Sequence, residues 1–211
     1  MHKTRKIWNT EIAHDVVISF FFTAILFLGI HFLFGEKINT YLNIINMISI
    51  EESNSVKNTV RFDEVKKRLI NYPLWGSKFA TLLIPSINLE MPVYQGDTLD
   101  ILRYGIGHYS GSFFPGEGGS IILAGHNNYG YLYHLPDIKI GEMITLKTIY
   151  GTYTYELKST KVINAKDNSG FPFYRDKEVL MIYTCYPVNT LGHKTHRYVV
   201  YAELVGVTNE K

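Results

Sequence analysis

Three residues stand where apolar, strand-like runs give way to loops, and their types suit one kind of chemistry. Cys185 ends the run Val179-Leu180-Met181-Ile182-Tyr183-Thr184 and is the only cysteine in the chain, so it cannot form an internal disulfide. The run is apolar throughout, as in a strand buried on both faces. Pro187 stops the ladder and Gly192 signals a second turn. The segment Arg197-Tyr198-Val199-Val200-Tyr201-Ala202 then returns with aromatic and β-branched residues, as strands do. An antiparallel hairpin closed by this loop brings Arg197 beside Cys185. A thiol at a strand end next to a fixed guanidinium is in a setting that favours the thiolate nucleophile. The plain alternative is that Cys185 is a small buried hydrophobe. Against it stand its place at the loop mouth and a candidate acid–base partner, His126, delivered the same way at the end of Ser120-Ile121-Ile122-Leu123-Ala124-Gly125.

Leu123-Ala124-Gly125-His126, then Thr184-Cys185-Tyr186-Pro187, then Gly192 and Arg197 to Ala202 resemble the signature of the sortases, membrane-anchored cysteine transpeptidases of Gram-positive bacteria. The Thr-Cys-Tyr-Pro form and the short segment before it are most similar to the class D branch, although Asn127-Asn128 departs from the Gly-His-Arg that many class D members carry. Ile84-Pro85-Ser86-Ile87, Pro92 to Gly96 and Gly107-His108-Tyr109 match the family's opening strands and its approach to the histidine. The resemblance spans about residues 79 to 205. It implies a closed eight-stranded β-barrel and, as substrate, a surface protein with an LPxTG-like sorting signal. It also implies an amine acceptor from a peptidoglycan precursor or a pilin lysine.

Peptide acyl transfer needs a nucleophile, a proton donor for the leaving amine and a group to hold the oxyanion. Cys185 is expected to form a thioester and His126, as imidazolium, to protonate the departing amine. Arg197, with a pKa above ~12, cannot be a base and is expected to donate hydrogen bonds to the substrate carbonyl. No cofactor and no metal are expected. Cys185, His193 and His196 lie within one hairpin with no fixed fourth ligand, a weak zinc pattern. His108 is the rival to His126. It lies in a turn-rich stretch where nothing in the sequence gives it a partner, and the resemblance makes it a framework residue. Two other classes remain open: a cysteine peptidase that releases acid, and a non-catalytic anchored β domain with Cys185 in its core.

The elements that must position these residues begin at Phe79. Short strands are expected over 81–84, 87–89, 92–94, 120–125, 143–148, 152–157 and 160–165, ahead of the Cys185 hairpin. A short helix is expected from Thr98, as cap, to Tyr104, and another where Leu132, Leu135 and Ile138 recur every three residues. About eight strands with few helices imply a closed or sandwich-like mainly β architecture. The Gly116-Glu117-Gly118-Gly119 turn is no phosphate loop, since no Gly-Lys-Ser/Thr follows. The net charge of +2, without a basic run interleaved with aromatics, gives no support to nucleic-acid binding.

Val16 to Phe34 is uncharged and, as a helix, spans roughly 28 Å, close to the ~30 Å hydrocarbon core. A cleaved signal peptide would have a shorter apolar region and a small-residue cleavage site, which Gly35-Glu36-Lys37-Ile38 does not offer. Lys3, Arg5 and Lys6 precede the span. The expectation is a single-pass cell-membrane anchor over 16–35, with a cytoplasmic tail over 1–15 and an extracellular catalytic domain over 79–211. Residues 36–78 between them read as a stalk or as helices laid on that domain. There Ile38, Leu42, Ile45 and Ile48 share one helical face, and Phe62, Val65 and Leu69 mark a second short helix.

Overall fold

The computed structural model describes residues 13–34, 60–174, 176–188 and 192–208. The basic tail residues, Ile38 to Ile48 and residues 189–191 of the Cys185 hairpin loop lie outside them. Two units divide the chain, residues 1–42 and 43–211. In the first, helix α1 (Ala13–Phe34) is long and apolar enough to cross a membrane. None of its large apolar side chains is buried, which fits a membrane anchor, because such a helix has no protein surface over its apolar groups.

The second unit holds a closed eight-stranded barrel, so the mainly β expectation stands. Its strands are β3 (Lys78–Ile84), β4 (Leu89–Gln95), β5 (Ile106–His108), β6 (Ser120–Gly125), β7 (Met143–Thr148), β8 (Gly151–Asn164), β9 (Val179–Tyr186) and β10 (His196–Thr208). Around the wall the order is β10-β8-β7-β3-β4-β5-β6-β9, back to β10. Two contacts are parallel, β4 with β5 and β6 with β9. Closure removes the unpaired edges that an open sheet would leave. The second parallel pair is the one that matters for the site, because it sends β6 and β9 out of the barrel at the same end.

Alternation along β9 shows both faces in use. Leu180 and Ile182 point into the main core with Leu123, Tyr155 and Val200. Val179 and Met181 point outward, into a second apolar cluster with Ile122, Val199 and Tyr201. The outer cluster is covered by the loop between β8 and β9. Phe171 packs against Tyr183 at 5.0 Å between ring centroids. Tyr201 Oη donates to Gly170 O at 2.9 Å, and Ser120 N donates to Phe173 O at 3.0 Å. A Cβ on Gly170 would lie 2.8 Å from Ile163 Cδ1, so a larger residue would need the Ile163 side chain to shift. At the root of β9, Glu178 is buried. Its Oε1 accepts from Tyr155 Oη at 2.7 Å and its Oε2 from the backbone N–H groups of Gly116 and Gly118, each at 3.0 Å. Burial still raises the Glu178 pKa.

Several local expectations are corrected. Residues 62–69 form a hairpin, β1 (Phe62–Asp63) with β2 (Arg68–Leu69), and no helix. Asp63 Oδ1 accepts from Val65 N and Lys66 N, both at 3.0 Å, and Lys67 takes a positive φ of 49°. This closes a tight turn in which Val65 faces solvent while Leu69 is buried, so the helical spacing marks no common face. Val60 and Leu69 both join the main core. Strand β8 is continuous where two strands are expected. Tyr201 pairs with Ser159 but Ala202 with Leu157, so Lys158 is a bulge that breaks the alternation without ending the strand. Strand β4 runs through Pro92, whose missing N–H is tolerated because β5 pairs only from Val93 onward. The short helix α2 (Leu99–Leu102) forms as expected, but Thr98 makes no side-chain cap and Ile101, not Leu99, is its buried residue. The three-residue period of Leu132, Leu135 and Ile138 is a 3-10 turn over Leu132–Asp137, and all three side chains are buried.

Candidate active site

The barrel register decides which side chains meet. In the parallel pair, Ile122 faces Met181, Ala124 faces Tyr183 and Gly125 faces Thr184, so His126 and Cys185 are the next residues out on adjacent strands. In the antiparallel pair, Met181 faces Tyr201, Tyr183 faces Val199 and Cys185 faces Arg197. Ile122, Met181, Val199 and Tyr201 all belong to the outer cluster. Side chains alternate with period two, so Cys185 and Arg197 continue that same outer face, and His126 follows one residue past the end of β6. Cys185 lies between the other two, on the middle strand. The hairpin expected to bring Cys185 and Arg197 together therefore does so, residue opposite residue.

Local contacts hold each strand end. Thr184 is buried and its Oγ1 donates to Gly125 O at 2.8 Å, pinning the last turn of β9 to the end of β6. Gly125 has no room for a side chain, since a Cβ there would lie 2.7 Å from both Ile106 Cδ1 and Leu132 Cδ1. Beyond it, His126 is half-buried and its carbonyl accepts from Leu132 N at 2.9 Å. Its ring meets Tyr131 edge-on at 5.8 Å, and Tyr131 Oη donates to Arg103 O at 2.7 Å. Burial lowers the His126 pKa, and the nearby Arg103 charge lowers it further. Arg197 is half-buried; its Nη1 donates to His196 O at 3.0 Å and, more weakly, to Lys194 O at 3.4 Å. Among the described residues no carboxylate forms an ion pair with it, so much of its fork is left for another acceptor.

A cleft of about 250 Å³ lies on this face, under the β8–β9 loop, lined by Tyr109, Ile122, Phe171, Phe173, Tyr183 and Arg197. Its aromatic walls, with Asn168 and the Arg197 guanidinium among them, suit an extended peptide whose carbonyl meets the guanidinium. Burial, together with the Asp97 charge, pushes the Tyr183 hydroxyl pKa up to about 12, so this residue enters the cleft as a neutral phenol. Among the described residues no three His, Cys, Asp or Glu side chains gather as a metal site.

The sortase family model matches residues 82–205. The chain belongs to the sortase family. It is 34% identical over 155 residues to sortase D of Bacillus subtilis (strain 168), covering 74% of this chain and 77% of that protein. The structure is similar to the Clostridium perfringens sortase D5 transpeptidase, with a TM-score of 0.58 and 27% identity over 64% of this chain and 83% of that one. Sortase C of Streptococcus pneumoniae shares the fold, with a TM-score of 0.57 and 21% identity over 64% of this chain and 72% of that one. As a sortase the chain is a cysteine transpeptidase, and its similarity to sortase D agrees with the class D character of its motifs.

His108, the rival histidine of this sortase, is fully buried and has partners that the sequence does not reveal. Its Nδ1 pairs with Gln95 Oε1 at 2.8 Å, and its Nε2 with Phe113 O at 2.9 Å and Ser112 Oγ at 3.0 Å. Its ring lies 4.4 Å from that of Phe114. Burial lowers its pKa to about 4, against the opposing pull of the Phe113 carbonyl. It is a neutral cross-brace. Arg103 and Tyr131 are the neighbours of His126 that sequence reasoning missed. Arg103 ends α2, remote from His126 in the chain, and no spacing rule connects them.

Proposed function

We propose that this sortase is membrane-anchored and cleaves an LPxTG-like sorting signal through a thioester on Cys185, then passes the acyl group to an amine. The register that sets Cys185 opposite Arg197 and ends β6 beside β9, one residue before His126, supports this reading. The Cys185 thiolate attacks the scissile carbonyl carbon, the C–N bond breaks, and the His126 imidazolium gives its proton to the leaving amine. The Arg197 fork donates to the carbonyl oxygen as it gains charge. The acceptor amine, from a peptidoglycan precursor or a pilin lysine, then attacks the thioester carbon and expels the thiolate, while His126 takes up the amine proton.

Two features support the peptide assignment. The cleft runs from Arg197 beneath the β8–β9 loop, and its aromatic rings suit an acyl-side Leu-Pro segment. Tyr183, held neutral, adds no charge beside the thiolate. For location, the apolar span over 16–35 would sit in the cell membrane, the tail over 1–15 in the cytoplasm and the barrel outside; of the segment 36–78 between them, the part from Val60 packs on the barrel.

The test is cleavage of a sorting-signal peptide by the full chain in detergent, with and without an added amine. Cys185→Ala should abolish cleavage, and the parent should trap as a peptide adduct in mass spectrometry. A ligated product in the presence of amine is expected. Acid as the sole product at saturating amine would make the enzyme a peptidase, and full activity of Cys185→Ala would remove the mechanism.

A further inference from the structure

A second cleft, of about 380 Å³, lies beyond the first, walled by Tyr72, Phe113, Phe114, Phe173 and Tyr174. Phe173 lines both clefts and is the ridge between them, its ring 5.9 Å from that of Tyr109. The rings of Phe113 and Tyr174 meet edge-on at 5.7 Å, and those of Tyr72 and Phe114 lie 5.4 Å apart. Tyr174 is 85% exposed and Tyr72 52% exposed, far more than large aromatic side chains need be. Glu117 is the strut behind this wall. Its Oε1 accepts from Leu69 N at 3.0 Å and Tyr72 Oη at 2.9 Å, and its Oε2 from Phe114 N at 3.0 Å. The carboxylate is thus spent on holding the aromatic residues in place, and the larger part of the surface offered to a ligand is apolar.

The strand register measures how far this cleft lies from the thiol. Ile122, in the first cleft, is level with Met181, about 13 Å along β9 from Cys185. Ser120 is level with Val179, about 20 Å from Cys185. Phe113 N donates to Ser120 O at 2.9 Å and Ser120 N to Phe173 O at 3.0 Å, which fixes the second cleft at that level or beyond. An extended peptide advances about 3.3 Å per residue. A four-residue motif with its scissile carbonyl at Cys185 ends inside the first cleft. The sixth to eighth residues before the scissile bond reach the second.

We propose that the Tyr72–Phe113–Tyr174 cleft is a further substrate subsite, which holds a large apolar side chain of the surface protein upstream of its sorting motif. The subsite rests on the sorting-signal reading above, and it would make this sortase choose among proteins that share one motif. Its occupant is the substrate itself, because the cleft continues, across the single shared ring of Phe173, the groove that contains Arg197, the residue opposite Cys185.

The experiment compares peptides cleaved by the full chain in detergent: the motif alone, the motif with a Gly/Ser extension over those upstream positions, and the same extension carrying Phe, Leu or Lys. With Phe or Leu, KM should fall about tenfold while kcat is unchanged, as expected for binding energy realised equally in ground and transition states. The Tyr72→Ser, Tyr174→Ser double variant, changed at two exposed side chains, should lose that gain and keep the parent kinetics on the motif alone. Equal KM for all extended peptides, a gain with Lys as large as with Phe, or a gain that survives the double variant would each overturn the subsite. Cleavage of the motif alone in those cases would leave the sorting-signal reading standing. Failure to cleave any of the peptides would overturn both.

Discussion

Replacing His108 and His126 in turn should give opposite phenotypes. A neutral imidazole carries one N–H, so His108→Ala strands one of the acceptors around the ring, Gln95 Oε1 or Phe113 O, while Ser112 Oγ keeps its bonds to Tyr109 O and Ile122 N. A stranded acceptor costs about 1–3 kcal/mol. Loss of the ring packed on Phe114 and Phe79 adds about 1 kcal/mol more. A total of about 2–4 kcal/mol is a large part of the 5–15 kcal/mol typical of a domain and should lower Tm by about 10 °C. The His126 ring is half-buried and, among the described residues, makes no hydrogen bond, so His126→Ala should cost about 1 kcal/mol or less. Its activity should nevertheless fall about 100- to 10,000-fold, the range for a lost acid–base group. Thermal unfolding and peptide cleavage, the latter well below both midpoints, separate the two effects. The pH dependence adds a check. Neutral His108 has its pKa lowered to about 4 against 6.5 for the free group. Its contribution is therefore fully present above pH 6.5 and lost as pH falls towards 4, a change of about 3 kcal/mol that His108→Gln should abolish. A stable His108→Ala that has lost activity, or a His126→Ala destabilised by several kcal/mol, would refute this division of roles.

Removing the Arg103 charge, as in Arg103→Met, should raise the His126 pKa. In the proposed mechanism the imidazolium is the form needed, so the limb of kcat/KM on which activity is lost with rising pH should move to higher pH; an unmoved profile would exclude the contact. Arg197→Lys should lower kcat/KM about tenfold or more at every pH, since one ammonium does not reproduce the planar fork; a Lys variant of parental height would show that charge alone suffices. Glu178→Ala should destabilise the barrel by about 2–5 kcal/mol in denaturant melts, because it orphans Tyr155 Oη and the N–H groups of Gly116 and Gly118. A melt within 0.5 kcal/mol of the parent, the ordinary scatter of surface changes, would contradict that accounting.

What the sequence determined by itself was local in kind. The apolar runs ending in Gly125-His126 and Thr184-Cys185, the Pro187 stop and the Arg197 return carry their own strand and turn chemistry. Antiparallel pairing across one loop then follows from chain continuity, which is why the apposition of Cys185 and Arg197 could be read in advance. The apolar α1 span was legible for the same reason, because composition over a single helix suffices. Tertiary structure decided what depends on pairing between remote segments. That His126 leaves β6 at the end where Cys185 lies requires the parallel contact of β6 with β9, across residues that share no turn. The three partners of His108, the approach of Arg103 to His126 and the hairpin at 62–69 likewise depend on what the barrel presses against each residue. Periodicity reports which side chains seek burial, and it is silent on which neighbours they find. Both Phe173 contacts, one to each cleft, arise only when the loop over 165–178 folds back on the outer wall. The reach of the proposed substrate groove is therefore a property of the closed barrel and its covering loop, and no single segment encodes it.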